Sequence, residues 1–417
     1  MRPETRLTPP SPDPQTVIEG APESAHNAMS VTQIAAPLPA PAQFPVFVAA
    51  ATCGFAGVWM SVPLAAVILT EAGVSAAMVG LYAASVWVAA LLTAPASPWL
   101  ASWVGGALRL HQLAGLTSAV ALLGLATNPP LALWFVFGGL LGIASCLTWT
   151  TADAIAGAMA PPGREGRFLG IYQTFISAAI GGGPAVLWLS GVQSGAFAAS
   201  AGLMMLGVAL TLLLREVPGA VPRRMRLSFV RLRPVALMMA APAGAAMLCG
   251  ALEGTAGAVF PVQGLALGLA AGAAATIVVA TGFGNMLAQY PVGMLADRFG
   301  THRALLGCAV VVALGSLLWP WLAPGWGIWP VLAVWGGAAG AIYTLGMVRA
   351  VQRFAGPARA LGMAGLNTAY LLGGALGAPL GGLLLEAVPG WGLPVAVATV
   401  ALGGGLALSV AALRRGV

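Results

Sequence analysis

Apolar stretches long enough to cross a membrane recur throughout this chain of 417 residues. A helix of about 20 apolar residues matches the thickness of the hydrocarbon core of a bilayer. About twelve such spans can be counted, at roughly 44–69, 76–98, 107–127, 130–159, 167–190, 194–214, 234–262, 267–292, 304–323, 327–353, 359–387 and 391–413. Only 7% of the residues are charged, which is too few to cover the surface of a soluble protein of this size. The sequence therefore predicts an all-α polytopic membrane protein with twelve transmembrane helices.

The arginines indicate which ends of these spans share one side of the membrane. Every basic residue is an arginine, and those beyond residue 43 fall between alternate spans or at the end of the chain: Arg109, Arg164, Arg167, Arg215, Arg223, Arg224, Arg226, Arg231, Arg233, Arg298, Arg303, Arg349, Arg353, Arg359, Arg414 and Arg415. The loops on the other side carry only Glu71 and Glu386 as charged residues. By the positive-inside rule this predicts a bacterial inner-membrane protein with both termini in the cytoplasm. Because the charges mark segment ends, no nucleic acid partner is expected.

The polar segments divide the chain into four parts. Residues 1–43 are rich in proline and polar residues, which predicts a disordered cytoplasmic tail. Residues 215–233 carry six arginines against one glutamate, which predicts a basic linker resting on anionic lipid head groups. Residues 44–214 and 234–417 then hold six spans each.

The two halves share a sequence pattern at a nearly constant offset. Four segments match in order: Cys53-Gly54 with Cys249-Gly250, Leu100-Ala101 and Gly105 with Leu295-Ala296 and Gly300, Gly138-Gly139-x-x-Gly142 with Gly336-Gly337-x-x-Gly340, and Arg167-x-Leu169-Gly170 with Arg359-x-Leu361-Gly362. Six duplicated helices in the same orientation predict two bundles related by a pseudo-two-fold axis along the membrane normal.

A motif between spans 8 and 9 points to a known family. Residues 293–303 read G-M-L-A-D-R-F-G-T-H-R, with Gly293 expected to allow close helix packing and Gly300 a tight turn. The segment resembles the signature loop of the major facilitator superfamily, G-x-L-A-D-R-x-G-x-x-R. The matching positions are Gly293, Leu295, Ala296, Asp297, Arg298, Gly300 and Arg303. Span 5, with Gly163-x-x-Gly166-Arg167 and Gly181-Gly182-Gly183-Pro184, is similar to that of proton-coupled efflux carriers in this family.

The resemblance implies a latch between the halves on the cytoplasmic side. Asp297 would face the start of span 5 near Gly166 and Arg167. In the first-half copy, Ser102 and Trp103 stand where Asp297 and Arg298 stand in the second. We therefore expect the two halves to be unequal, with the symmetrical latch weak or lost.

The resemblance also implies that spans 1, 4, 7 and 10 line a central cavity, and three ionisable residues lie within these spans. A carboxylate in hydrocarbon is expensive, which makes Glu253 in span 7 a candidate for proton coupling. The alternative is a structural glutamate that is protonated or hydrogen-bonded. Asp153 in span 4 and Arg349 in span 10, or Arg353, are candidates for an ion pair that closes the cytoplasmic gate when the carrier faces outwards. Alternatively, each of them marks only the interface.

Aromatic and amide side chains are candidates for contacts with a substrate. Phe55, Trp59, Trp149 and Tyr343 suit an apolar or cationic molecule. Their alternative role is packing between helices. Gln173 and Asn367, in spans 5 and 11, are candidate polar contacts.

The sequence lacks the signatures of the common enzyme classes, including H-E-x-x-H, G-x-S-x-G and a P-loop. The three histidines lie in the tail or at span ends and the four cysteines form no close pair, so no metal, cofactor or disulfide is expected. The predicted function is secondary transport by a monomer, with a small apolar or amphiphilic molecule, protons and the bilayer as partners. Proton-coupled export is the leading hypothesis, and the alternatives are uptake by symport or a sensor with the carrier fold that binds without transport.

Overall fold

The computed structural model describes residues 43–161, 164–217, 232–353 and 357–413. Within these residues are twelve long helices: α1 Gln43–Glu71, α2 Ala76–Thr93, α3 Ala107–Ala126, α4 Leu131–Met159, α5 Glu165–Ala185, α6 Ala196–Thr211, α7 Leu232–Ala266, α8 Ile277–Phe299, α9 Thr301–Leu322, α10 Ile328–Arg353, α11 Pro357–Ala387 and α12 Gly392–Leu413. Ten helical segments of the described residues are long and apolar enough to span a membrane. The predicted all-α, multi-pass architecture is confirmed. The tail and most of the predicted linker, residues 218–231, lie outside the described residues.

The helices form two bundles, α1–α6 and α7–α12, that pack by the same scheme. In the first bundle α1 packs against α5 and α6, α4 against α2 and α3, and α3 against α6. The helices six positions later in the chain repeat each of these pairings. The sequence offset found above thus corresponds to equivalent helix pairs in space.

The aligned glycines explain why these pairs approach so closely. A Cβ atom at Gly142 in α4 would overlap the backbone carbonyl of Val86 in α2. At the aligned position in α10, a Cβ atom at Gly340 would overlap the side-chain amide of Asn285 in α8. Membrane helices use small residues in this way because close packing provides their main attraction.

The motif after span 8 is helical over most of its length, which corrects the expected boundary at residue 292. Helix α8 continues through Leu295, Ala296 and Arg298 to Phe299, because these residues favour a helix. The chain turns only at Gly300, where φ is +85°. The aligned Gly105 has φ +89° and ends the short helix Ser97–Val104 that prolongs α2 through a 3-10 turn. Both positions require a residue without a Cβ atom.

The two bundles meet through α1 with α7, α2 with α11, and α5 with α8. We call the end of the protein that carries Arg109, Arg167 and Arg298 the arginine-rich end, and the end that carries Glu71 and Glu386 the opposite end. At the opposite end the backbone N–H of Ala77 donates to Glu386 Oε2 at 3.2 Å. This is one of several contacts that hold the two bundles together at the opposite end.

Candidate functional site

A hydrogen-bonded group of side chains surrounds Glu253 near the middle of α7. The hydroxyl of Tyr370 in α11 donates to Glu253 Oε2. The amide Nδ2 of Asn285 in α8 donates to Glu253 Oε1 at 3.4 Å. Both oxygens of this half-buried carboxyl therefore have a partner from a different helix.

The group continues away from Glu253 to a fourth helix. Gln289, one turn after Asn285, donates through Nε2 to Asn285 Oδ1. The hydroxyl of Thr344 in α10 donates in turn to Gln289 Oε1. We call Glu253, Asn285, Gln289, Thr344 and Tyr370 the polar chain. It joins α7, α8, α10 and α11 within their apolar segments, where each unpaired polar group would be costly.

Glycines bring these side chains within reach of one another. A Cβ atom at Gly250, one turn before Glu253, would overlap the backbone carbonyl of Tyr370. Gly250 therefore lets α11 approach α7 closely enough for the Tyr370 hydroxyl to reach the carboxyl. Gly340 leaves room for the amide of Asn285 in the same way.

Tyr370 also connects the polar chain to the first bundle. Its ring centroid lies 5.5 Å from that of Trp87 in α2 and 5.4 Å from that of Tyr343 in α10, with both pairs nearly perpendicular. A Cβ atom at Gly374, one turn after Tyr370, would overlap the Trp87 ring. The Glu253 carboxyl thus contacts Tyr370, and Tyr370 contacts Trp87 across the interface between the bundles.

The sequence singled out Glu253 and Tyr343 but not the other members of this site. Asn285, Gln289, Thr344 and Tyr370 carry no motif, and uncharged polar residues are ordinary in membrane helices. A signal was available in Asn285 and Gln289, because amides four residues apart lie on one face of a helix. Nothing in the sequence distinguishes Trp87 from the other aromatic residues of the apolar spans.

Two polar contacts lie towards the arginine-rich end, where the gate was predicted. In the first bundle the hydroxyl of Tyr172 donates to Asp153 Oδ1 at 2.9 Å. In the second bundle Arg349 Nε donates to Thr301 Oγ1 at 2.9 Å. Asp153 and Arg349 therefore each have a partner within their own bundle in this conformation. The side chain of Arg353 lies outside the described residues, and the gate ion pair stays a prediction.

His111 lies near the start of its helix and is buried. It lies within the first turns of α3, where its Nδ1 is 3.0 Å from Thr151 Oγ1. The Phe47 ring lies 6.0 Å from the imidazole and 6.3 Å from the ring of Tyr172. In the described residues, no three side chains of His, Cys, Asp or Glu come close enough to share a metal ion.

The predicted latch residues lie on the surface of the arginine-rich end. Asp297, Arg298, Arg303 and Arg167 are exposed, and the guanidinium of Arg298 lies 5.3 Å from the Phe299 ring centroid. A Cβ atom at Gly293 would meet nothing within 4 Å, so close packing does not explain that glycine in this conformation. The latch between Asp297 and span 5 stays a prediction.

The remaining cavity candidates divide into packed and accessible side chains. Phe55 is buried and meets Trp149 edge to face at 4.8 Å, and Trp59 packs against the same apolar cluster. These three side chains therefore contribute to helix packing. Gln173 is exposed in α5, while Asn367 is half-buried in α11, one turn before Tyr370.

Comparisons with known proteins agree with this architecture. Residues 242–416 match the family model described as Major Facilitator Superfamily. A relative described as the uncharacterized MFS-type transporter YfkF of Bacillus subtilis (strain 168) is 26% identical over 301 residues, which cover 69% of this chain and 74% of the relative.

Solved structures extend the likeness to the whole helical part of the chain. The nucleoside transporter NupG is similar with a TM-score of 0.69 and 16% identity, covering 90% of this chain and 98% of that one. A D-xylose-proton symporter is similar with a TM-score of 0.68 and 15% identity, covering 88% of this chain and 96% of that one. Residues 242–416 therefore match the major facilitator superfamily, and the helical part of the chain has the fold of the solved transporters NupG and the D-xylose-proton symporter.

Proposed function

We propose that this protein is a proton-coupled secondary carrier of the major facilitator superfamily in which Glu253 takes up and releases the coupled proton. The observation that supports this most is the position of the Glu253 carboxyl, which lies near the middle of an apolar helix and has hydrogen bonds from two other helices. Ionisable side chains within membrane-spanning segments are costly and mark ion pathways in membrane proteins.

The polar chain gives the proton a way to act on the helices. An ionised carboxylate only accepts hydrogen bonds, and it can satisfy the hydroxyl of Tyr370 and the amide of Asn285 together. A protonated carboxyl has a donor of its own and one fewer free acceptor. Protonation therefore favours a different arrangement of α7, α8 and α11, and a bistable interface converts that preference into a change of state.

Tyr370 is a positioning residue in this proposal. We expect Tyr370→Phe to lower proton-driven flux about tenfold to a hundredfold, because a hydrogen bond to a charged group contributes about 1.5–3 kcal/mol. The ring and its contacts with Trp87 and Tyr343 remain in this variant. Flux into proteoliposomes under a pH gradient is compared with substrate exchange at equal pH.

The matched control for this prediction is Tyr290→Phe, which removes a hydroxyl from an exposed tyrosine of α8. Tyr290→Phe should leave both measurements unchanged. If Tyr370→Phe lowers exchange as much as proton-driven flux, the hydroxyl serves the structure and not the coupling.

We further propose that the substrate is small and apolar or amphiphilic and that the direction is export. The rings of Trp87, Tyr343 and Tyr370 beside the carboxyl support an apolar or amphiphilic molecule. A screen of many compounds in proteoliposomes with an acidic exterior tests both the substrate class and the direction of transport. Antiport accelerates release of a compound loaded inside, symport accelerates entry of a compound added outside, and a sensor binds without either flux.

The cytoplasmic gate is proposed to close through Asp153 and Arg349 in the outward-facing state. We expect Asp153→Ala and Arg349→Ala each to lower transport strongly, because each leaves a charge without its partner in that state. The exchanged pair, Asp153→Arg with Arg349→Asp, should recover part of the flux. If the exchanged pair is inactive while both single variants are active, the proposed ion pair between Asp153 and Arg349 is wrong.

The arginine-rich end is proposed to face the cytoplasm of a bacterial cell, in the inner membrane, because arginines concentrate on the cytoplasmic side of such proteins. A reporter fused after residue 417 tests this placement. Alkaline phosphatase, which needs an extracytoplasmic environment, should be inactive there, and activity would reverse the topology.

A further inference from the structure

A groove opens on the outer surface of the first bundle, between α3 and α6. Its volume is about 420 Å³. Its walls are mostly apolar and include Leu113 and Leu116 of α3 and Met205 and Leu212 of α6. Their side chains are between 41% and 69% exposed, so the groove faces outwards. In a membrane-spanning protein this face is covered by lipid acyl chains.

Polar groups occupy only one end of this groove. Arg109 and Gln112 line it at the arginine-rich end. The guanidinium of Arg109 lies over Gly105, where a Cβ atom would be 2.9 Å from an Nη atom. Gln112 Nε2 donates to the backbone carbonyl of Thr211 at 3.3 Å and ties α3 to α6 there. The nearby carboxylate of Glu216 accepts a hydrogen bond from the amide of Leu108 at 3.0 Å.

Two tryptophans next to this end indicate its depth in the membrane. Trp99 and Trp103 stack with centroids 6.2 Å apart and are 50% and 74% exposed. They lie on the helix Ser97–Val104, whose last residue also lines the groove. Exposed tryptophans are enriched at the level of the lipid head groups. This places Arg109 where a lipid phosphate lies.

We propose that this groove binds one anionic phospholipid, with its phosphate at Arg109 and an acyl chain along α3 and α6. The long apolar walls fit a chain, and a guanidinium forms charge-assisted hydrogen bonds with phosphate. The positive charge of Arg109 favours an anionic head group over a zwitterionic one. This site is separate from the polar chain and does not depend on the direction or the substrate of transport.

The test uses the full chain in detergent with added phosphatidylglycerol or phosphatidylcholine, and counts bound lipid by native mass spectrometry. We expect the wild type to retain phosphatidylglycerol in preference to phosphatidylcholine. Arg109→Gln should lose about fivefold in retained phosphatidylglycerol, which is the effect of one arginine near an anionic lipid surface. Arg109→Lys should retain most of it. The matched control is Arg164→Gln, which removes another exposed arginine at the same end.

A second variant tests the groove without changing charge. Ala209 is exposed and lines the groove, so Ala209→Phe should fill it and displace the lipid. Thermal unfolding without lipid shows that each variant is folded. The site is disproved if both lipids are retained equally, if Arg164→Gln loses as much as Arg109→Gln, or if Ala209→Phe retains phosphatidylglycerol fully.

Discussion

Replacing Glu253 with glutamine is expected to abolish transport driven by a pH gradient and to leave substrate exchange at equal pH measurable. Glutamine has nearly the same shape as glutamate, and its carbonyl oxygen can still accept a hydrogen bond from Tyr370 or Asn285. It cannot take up or release a proton at any physiological pH. The variant therefore keeps the site and loses the coupling. Flux into proteoliposomes, measured across a series of imposed gradients, should fall to that of liposomes without protein.

The control for this experiment is Glu71→Gln, which removes an exposed carboxyl at the end of α1. Glu71 is not a member of the polar chain. It should transport as the wild type does, and both variants should show similar thermal unfolding. Normal transport by Glu253→Gln at all pH values would show that the proton is carried elsewhere. Loss of both gradient-driven flux and exchange would instead assign Glu253 to substrate binding.

Much of the fold follows from the sequence because the bilayer restricts the choices. Every backbone polar group in hydrocarbon must be satisfied inside the protein, and a helix does this within a single apolar stretch of about 20 residues. The alternation of arginines then confirms the count, and the glycine repeat predicts which helices correspond. Gly105 and Gly300 were aligned by sequence alone, and both have positive φ at the end of a helix. Helix α8 ends beyond the expected boundary at residue 292, because the charged residues Asp297 and Arg298 continue a helix that the apolar stretch alone does not reveal.

The site is harder to predict because its members are not distinctive one by one. Glu253 stands out, since a lone carboxyl in an apolar span is rare. Its partners Tyr370 and Asn285 become visible only when α11 and α8 are placed against α7. Those helices come from distant parts of the sequence. The pattern of apolar residues along each helix does not specify which of its faces turns towards α7. Phe55 and Trp149 show the converse case, because aromatic residues on a predicted cavity helix pack against each other.

Replacing Gly80 with alanine is expected to shift the protein away from the conformation in which the opposite end is closed. Gly80 in α2 faces α11 of the other bundle, where its Cβ atom would overlap the carbonyl oxygen of Ala378 and lie 3.0 Å from the Cα atom of Pro379. Both are backbone atoms, so neither side can yield without moving a helix. Overpacking of this kind costs about 1–3 kcal/mol. The cost applies only where the bundles meet, so we expect the population of this conformation to fall about fivefold to 150-fold relative to the open one.

Hydrogen–deuterium exchange measures this shift directly. Amides at the start of α2 and the end of α11 should exchange faster in Gly80→Ala, while those of α3 and α9 keep the wild-type rate, and net transport should fall. Gly382→Ala should act in the same direction, since its Cβ atom would overlap the carbonyl of Ala76 across the same interface. Gly139→Ala is the matched control, because a Cβ atom there meets nothing within 4 Å. Uniformly faster exchange in every helix would show global destabilisation, and unchanged exchange at the opposite end would show that this contact does not govern alternating access.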